Sequence, residues 1–207
     1  MKTSKVILLL SGGFDSSIAG FLLQQKGFEI IPLHFSNIDF AGKESIEKSK
    51  KIAKKFNWSK MYIIDIANAL ELFVDGAKHS YYFVLLKRLM LKLGSEIADI
   101  EKADFIATGE SLGQVSSQTL SNISAIEEAT RYRVLKPLIT LDKESIIRLT
   151  RKFETFEISA GPEVCDILGP KHPITNAKFE NILKEEDKLD NDFIINNSMK
   201  NMLVINI

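Results

Sequence analysis

The sequence predicts an α/β fold built on a doubly wound, mostly parallel, Rossmann-like sheet. Three observations predict it. Short apolar strands alternate with helical periodicity along the chain. The first strand runs straight into Ser11-Gly12-Gly13-Phe14-Asp15-Ser16-Ser17, a turn that opens a helix. A second glycine-rich segment, Gly109-Glu110-Ser111-Leu112-Gly113-Gln114, follows another strand. In such sheets ligands bind outside the C-terminal strand ends, so the two segments are expected to meet on one edge.

The elements follow in order. Residues 5–10 form the first strand, and the helix behind the double glycine runs from about Asp15 to Lys26, stopped by Gly27. Glu29 to Phe35 is a second strand. Pro32 donates no ladder hydrogen bond, so that strand either bends or places the proline where no donor is needed. Gly42 to Phe56 reads as a helix with Ile46, Ile52, Ala53 and Phe56 on one face. Met61 to Ile66 is a third strand, and Ala69 to Ile100 gives two helices with a break at Gly76–Ser80. Asp104 to Thr108 is a fourth strand, Val115 to Thr130 a helix, and Arg133 to Leu138 a fifth strand. A helix over Asp142–Lys152 is capped by Asp142. Gly161 to Pro173 reads as a loop and Thr175 to Leu189 as a further helix, while the tail beyond carries no assignment.

A chain of 207 residues with 45% hydrophobic content suits one sizeable core with a small C-terminal elaboration. The expected division is 1–178 for the main domain and 179–207 for a helix and tail packed on it. No apolar run approaches the roughly 20 residues that span a bilayer, and Val6 to Leu10 is too short for a signal peptide. The expected location is cytoplasmic, with no membrane partner. Twenty-seven basic residues balance 27 acidic ones, so net charge announces no nucleic-acid binder. A single cysteine, Cys165, excludes an internal disulfide and any zinc or iron-sulfur site built from this chain's thiolates alone. No metal ligand set is assigned.

The Ser11–Ser17 turn is suited to pyrophosphate. Two glycines let the backbone approach an anion, Ser11, Ser16 and Ser17 add hydroxyl donors, and the helix N-terminus offers unpaired amides. The plain alternative is a turn with Asp15 or Ser16 as N-cap. The loop lacks the Gly-Lys-Ser/Thr of a Walker A motif and is not Gly-x-Gly-x-x-Gly.

Ser-Gly-Gly-x-Asp-Ser resembles the PP-loop of the ATP pyrophosphatases, which cleave ATP between its α and β phosphates and activate a substrate as its adenylate. Thr108 to Thr119 resembles the second motif of the tRNA 4-thiouridine synthases, sulfurtransferases of tRNA thiolation and, in some lineages, of the thiamine thiazole. Lys136-Pro137-Leu138-Ile139, Asp142-Lys143 and Phe156-Glu157-Ile158-Ser159 appear in that family's order, and the likeness covers about residues 4–178. It includes neither the family's ferredoxin-like and THUMP segments nor a rhodanese domain.

The resemblance implies ATP with Mg²⁺ as cofactors and a site residue by residue. Leu9 and Leu10 offer backbone contacts, Ser11, Gly12, Gly13, Asp15, Ser16 and Ser17 hold phosphates, and His34 and Phe35 flank adenine. Lys87 and Arg88 supply charge, Gly109 allows close approach, and Gln118 contacts the nucleotide from the helix. At Lys87 the family usually has arginine, and at Ser17 proline. Asp15 is the expected catalytic acid, placing the metal or reacting centre, and Cys165 bears or resolves a persulfide. Taken alone, His34 and Phe35 also suit packing, Gln118 an exposed helix position, and Cys165 a small buried hydrophobe.

The implied function is adenylation of a tRNA uridine carbonyl for replacement by sulfur. The implied partners are tRNA, gripped by a separate THUMP-type protein, and an external donor of persulfide or sulfide. Sulfur transfer to a thiazole precursor, another adenylating amidotransferase or synthetase, and a nucleotide-binding subunit of an RNA-binding partner are the alternatives. The oligomeric state, a homodimer included, stays open. The lysine run Lys43, Lys48, Lys50, Lys51, Lys54, Lys55 and Lys60 reads as a solvated face, with an RNA-facing ridge as the minority reading.

Overall fold

The computed structural model describes residues 3–38, 42–160 and 168–207. Its strands are β1 (Lys5–Leu9), β2 (Glu29–Ser36), β3 (Lys60–Asp65), β4 (Phe105–Ala107), β5 (Arg133–Leu135) and β6 (Leu203–Asn206). Its helices are α1 (Phe14–Gln25), α2 (Glu44–Lys55), α3 (Ala67–Gly76), α4 (Tyr82–Glu101), α5 (Leu120–Glu127), α6 (Lys143–Lys152), α7 (Phe156–Ser159), α8 (Phe179–Glu186) and α9 (Asn191–Lys200). The strands make one sheet in the order β5-β4-β1-β2-β3-β6, parallel except for the antiparallel β6. Among the described residues no helix is long and apolar enough to cross a membrane.

Period-two alternation in β1 serves both faces of the sheet. Val6, Leu8 and Leu10 join a core with Ile18 and Leu23 of α1, Ile52 of α2 and Ile146 of α6. Ile7 joins the opposite core with Leu70 of α3, Leu85, Leu89 and Leu93 of α4, and Ile126 of α5. With apolar cover on both faces the sheet is doubly wound. From β1 the chain builds outward to β2 and β3, then crosses to the other side for β4 and β5. The strand order therefore reverses between β1 and β4, the place where open α/β sheets bind ligands. Pro32 pairs with Leu8 of β1, and the β3 ladder begins only at Leu33 opposite Tyr62, so the missing donor leaves no gap there.

Three local expectations differ from the structure. The stretch 115–130 is not one helix: Ser116–Gln118 is a 3-10 turn, and α5 starts at Leu120, where the Thr119 side chain caps the Asn122 amide. β5 ends at Leu135, before Lys136-Pro137. The helix expected from Thr175 begins at Phe179, because Asn122 holds Ile174 and Ala177 in an extended approach: its amide donates to the Ile174 carbonyl and its oxygen accepts from the Ala177 amide. The unassigned tail forms α9 and β6, which pairs with β3. Most of the loop expected at 161–173, with Cys165, lies outside the described residues.

Ile182 of α8 and Ile194 of α9 are buried in the α4 core. Beside them Arg88, 3% exposed, makes a two-pronged pair with Glu186 at 2.9 Å on both arms, and Lys92 adds a third bond to the same carboxylate. Removing one partner of a buried pair strands the other charge. Arg88→Met is expected to lower the unfolding free energy by about 3–5 kcal/mol, read by urea titration. Burial alone would raise the Glu186 pKa, but the bonds from Arg88 and Lys92 outweigh it and lower the value. A carboxyl depressed on folding contributes stability above its unfolded pKa of about 4.3, and loses it as pH falls through the folded value. The same variant is therefore expected to flatten the acid side of the stability profile.

Candidate active site

The phosphate loop is organised by its own serines. The Ser11 amide donates to Ser16 Oγ at 3.1 Å, the two hydroxyls meet at 2.9 Å, and the Gly13 amide donates to Ser11 Oγ at 3.2 Å. Gly12 has φ +85°, which strains any other residue, and a Cβ there would also meet Ser49 Oγ at 3.0 Å and Lys48 Cβ at 3.1 Å. α1 begins after Gly13 with no side-chain cap, which leaves its first amides available to an anion. Asp15 therefore lies in the first turn of α1 rather than at its cap. Its two carboxylate oxygens lie 3.0 and 3.1 Å from Lys143 Nζ at the start of α6.

The second segment lies directly on the first. A Cβ on Gly109 would fall 2.5 Å from the Ser16 nitrogen, 2.6 Å from the Asp15 carbonyl carbon and 2.7 Å from Ser16 Cα. Those are backbone atoms, so the loop after β4 and the loop after β1 touch main chain to main chain at the order reversal. Beyond it Thr108 Oγ1 donates to Glu110 Oε2 at 3.1 Å, and Lys87 Nζ stands 3.6 Å from Glu110 Oε1.

Between the loops opens a cavity of about 540 Å³, within the usual range of small-molecule sites. Ile66, Leu70, Phe83, Leu86 and Met90 make one end apolar, while Ser11–Gly13, Asp15, Ser16, Lys48 and Lys143 make the other polar. His34 and Phe35 border the cavity at the end of β2. The His34 Nδ1–H donates to the Leu10 carbonyl at 2.8 Å, leaving Nε2 to accept from the Ser45 hydroxyl at 3.2 Å. Burial lowers the His34 pKa, against the Leu10 bond that raises it, so the ring is neutral at neutral pH. Among the described residues, three buried polar atoms in the wall have no hydrogen-bond partner, namely Gln114 Nε2, Gln118 Oε1 and Ser159 Oγ. Unpaired buried polar groups are costly, and a ligand that bonds them removes the cost.

Of the residues singled out from sequence, Leu9, Leu10, Ser11, Gly12, Gly13, Asp15, Ser16, His34, Phe35, Lys87, Gly109 and Gln118 all border this cavity. Gln118 does so from the 3-10 turn, not from a helix. Two others do not. Ser17 is fully buried and its hydroxyl donates to the Phe14 carbonyl at 2.8 Å. Arg88 spends its guanidinium on Glu186 and the Ala125 carbonyl, one helical position away from Lys87. Cys165 lies outside the described residues. Sequence reasoning missed Lys143, Lys48, Glu110, Gln114 and Ser159 as wall residues, although Lys143, Glu110, Gln114 and Ser159 stand inside quoted motifs. In the lysine run, Lys50 and Lys55 pair with Glu47 and Glu154 on the solvated side, whereas Lys48 turns to the cavity.

Fold and site together define an α/β protein of the PP-loop ATP pyrophosphatase class. The chain belongs to the thiamine biosynthesis protein (ThiI) family, whose sequence model matches residues 2–191. It is 33% identical over 207 residues to the "Probable tRNA sulfurtransferase" of Finegoldia magna, covering 97% of this chain and 53% of that protein. With the protein of the same name from Halothermothrix orenii it shares 35% identity over 196 residues, 90% of this chain and 49% of the relative. The chain thus spans about half the length of the curated relatives it matches. A crystal structure of a 4-thiouridine synthetase–RNA complex with bound ATP superposes with a TM-score of 0.93 at 29% identity, covering 99% of this chain and 55% of that one. The U34-tRNA thiolase NcsA of Methanococcus maripaludis, at 16% identity and a TM-score of 0.61, shares the fold.

Proposed function

We propose that this chain is the ATP-using domain of a tRNA sulfurtransferase, which adenylates a uridine carbonyl and replaces its oxygen by sulfur to give 4-thiouridine. The observation that carries this reading is the contact of Gly109 with the Asp15–Ser16 backbone, which sets the family's two motifs around one nucleotide-sized cavity. ATP lies with adenine in the apolar end beside His34 and Phe35, and with its β and γ phosphates in the Ser11–Ser16 loop. Lys48 and Lys143 face the phosphate end, and Gln118 Oε1 and Gln114 Nε2 find their partners on the nucleotide. Mg²⁺ fits here, because this cation needs only one or two carboxylates beside phosphate oxygens and Asp15 provides one. When bound it neutralises triphosphate charge. O4 of uridine attacks the α phosphorus, pyrophosphate leaves, and sulfur then displaces AMP.

Cys165, the single thiol, is a station for sulfur delivered from outside the chain. Residues 1–178 carry this chemistry and 179–207 brace α4 through Ile182, Ile194 and Glu186. Balanced net charge supports placing the tRNA grip outside these 207 residues, on a THUMP-type part or protein. A tRNA acceptor makes the location cytoplasmic. The ThiI description supports a second reading, sulfur transfer toward the thiamine thiazole. With a THUMP-type RNA-binding part supplied, incubation with ATP, Mg²⁺, sulfide and unmodified tRNA is expected to yield AMP and thiouridine, with AMP formation retained in Cys165→Ala. AMP without thiouridine sinks the first reading and leaves the second.

A further inference from the structure

The wall of this cavity holds four side chains able to take a proton at neutral pH: Asp15, His34, Glu44 and Glu110. Both oxygens of Asp15 face Lys143. Both nitrogens of His34 are engaged, by the Leu10 carbonyl and the Ser45 hydroxyl. Glu44 is exposed and pairs with Lys48. Glu110 differs from all three. It is 5% exposed, Thr108 fixes its Oε2, and among the described residues its Oε1 makes no hydrogen bond and has Lys87 at 3.6 Å.

A carboxylate oxygen of a buried side chain, open only to the cavity, takes a donor from whatever enters. Triphosphate oxygens offer none and repel the charge. Glu110 also follows directly on Gly109, which rests on the phosphate loop, so it starts beside the reacting end of the nucleotide and not at the adenine end. The groups around it are Lys87 on α4, Thr108 on its own segment and Lys136 after β5, with Lys136 in turn paired to Glu127 of α5. Burial lowers the Lys136 pKa while the charge of Glu110 opposes this and that of Lys87 adds to it. Two ammonium groups, Lys87 and Lys136, thus stand among two carboxylates, Glu110 and Glu127.

Resting on the adenylation reading above, we propose that Glu110 is the general base that removes the N3 proton of the acceptor uracil. The carboxylate takes the proton and the N3–H pair becomes the N3=C4 π bond. The C4=O4 π pair moves onto oxygen, O4 bonds the α phosphorus, and the bond from that phosphorus to the bridging oxygen breaks as pyrophosphate leaves. Hydrosulfide then adds at C4 as Glu110 returns the proton to N3; the S–H proton leaves to solvent, its pair forms C4=S, and the C4–O4 bond breaks with AMP as leaving group.

Glu110→Gln keeps the shape and the Thr108 bond but cannot accept the proton. It is expected to bind ATP as the wild type does and to lose roughly 10²–10⁴-fold in thiouridine formation, the range of general-base contributions. Its residual rate rises steadily with pH, as solution ionisation of the imide replaces the base, where the wild type levels off. Glu110→Asp keeps the level region at reduced rate. Wild-type thiolation and pH profile in Glu110→Gln overturn the assignment, and so does a loss of ATP affinity as large as the loss of rate. With the RNA-binding part present, wild-type protein that releases AMP without thiouridine overturns the uridine reading itself, and the base with it, before any variant is compared.

Discussion

Replacing Gly109 by alanine is expected to weaken ATP binding roughly 100-fold. The added methyl would enter at 2.5–2.7 Å from Ser16 N, Asp15 C and Ser16 Cα, all main-chain atoms, so no side chain can rotate aside. Relief requires the start of α1 to move off β4. That displaces the Ser11 and Gly13 amides and the Ser16 hydroxyl together, because they are bonded to one another. Overpacking of this kind costs on the order of 3 kcal/mol or more. Charged to the binding site, it is roughly a 100-fold loss of affinity. Titration calorimetry with ATP measures it, and circular dichroism checks that the fold survives. Near-wild-type affinity would show that the two loops need not touch, and would remove the observation on which the nucleotide site rests.

Features of the molecule that are local in sequence were legible, and those made by distant partners were not. The β1–loop–α1 unit could be read because an apolar strand, two glycines and a helix start lie within 25 residues. That both glycine-rich segments would share an edge followed from the α/β topology, whose loops leave the strands on the same side. Arg88 misled because its decisive partner, Glu186, is 98 positions away. Placed beside Lys87, it looked like a second phosphate ligand until burial and that carboxylate were seen. The start of α5 was misjudged for a nearer reason. Gly113 donates to the Gln118 carbonyl and closes a turn, so helix formation waits for the Thr119 cap. β6 offered no signal, since its residues Leu203–Asn206 become a strand only against β3.

The Asp15–Lys143 pair is the clearest case of a partner 128 residues distant, and its removal carries the other large expected effect. Side-chain exposures of 21% and 45% put the pair partly in water. Such a bridge is worth about 0–1 kcal/mol to stability, so neither single variant is expected to unfold the protein. The same two groups line the cavity beside the uncapped start of α1, where the proposed reading seats the phosphates. On the proposed reading, a bound nucleotide would draw the ammonium of Lys143 from its carboxylate to phosphate oxygens, and Asp15 would be free to hold Mg²⁺. Asp15→Ala and Lys143→Ala are each expected to slow pyrophosphate release roughly 10²–10³-fold, as loss of one preorganised charge does. Residues acting as one unit are not additive, so the double variant is expected to fall little below the worse single one. A purely structural bridge predicts the opposite pattern, with turnover intact and stability down in each. Pyrophosphate release and urea midpoints measured on the same four proteins separate the two, and unchanged turnover in Asp15→Ala would end the catalytic assignment of that residue.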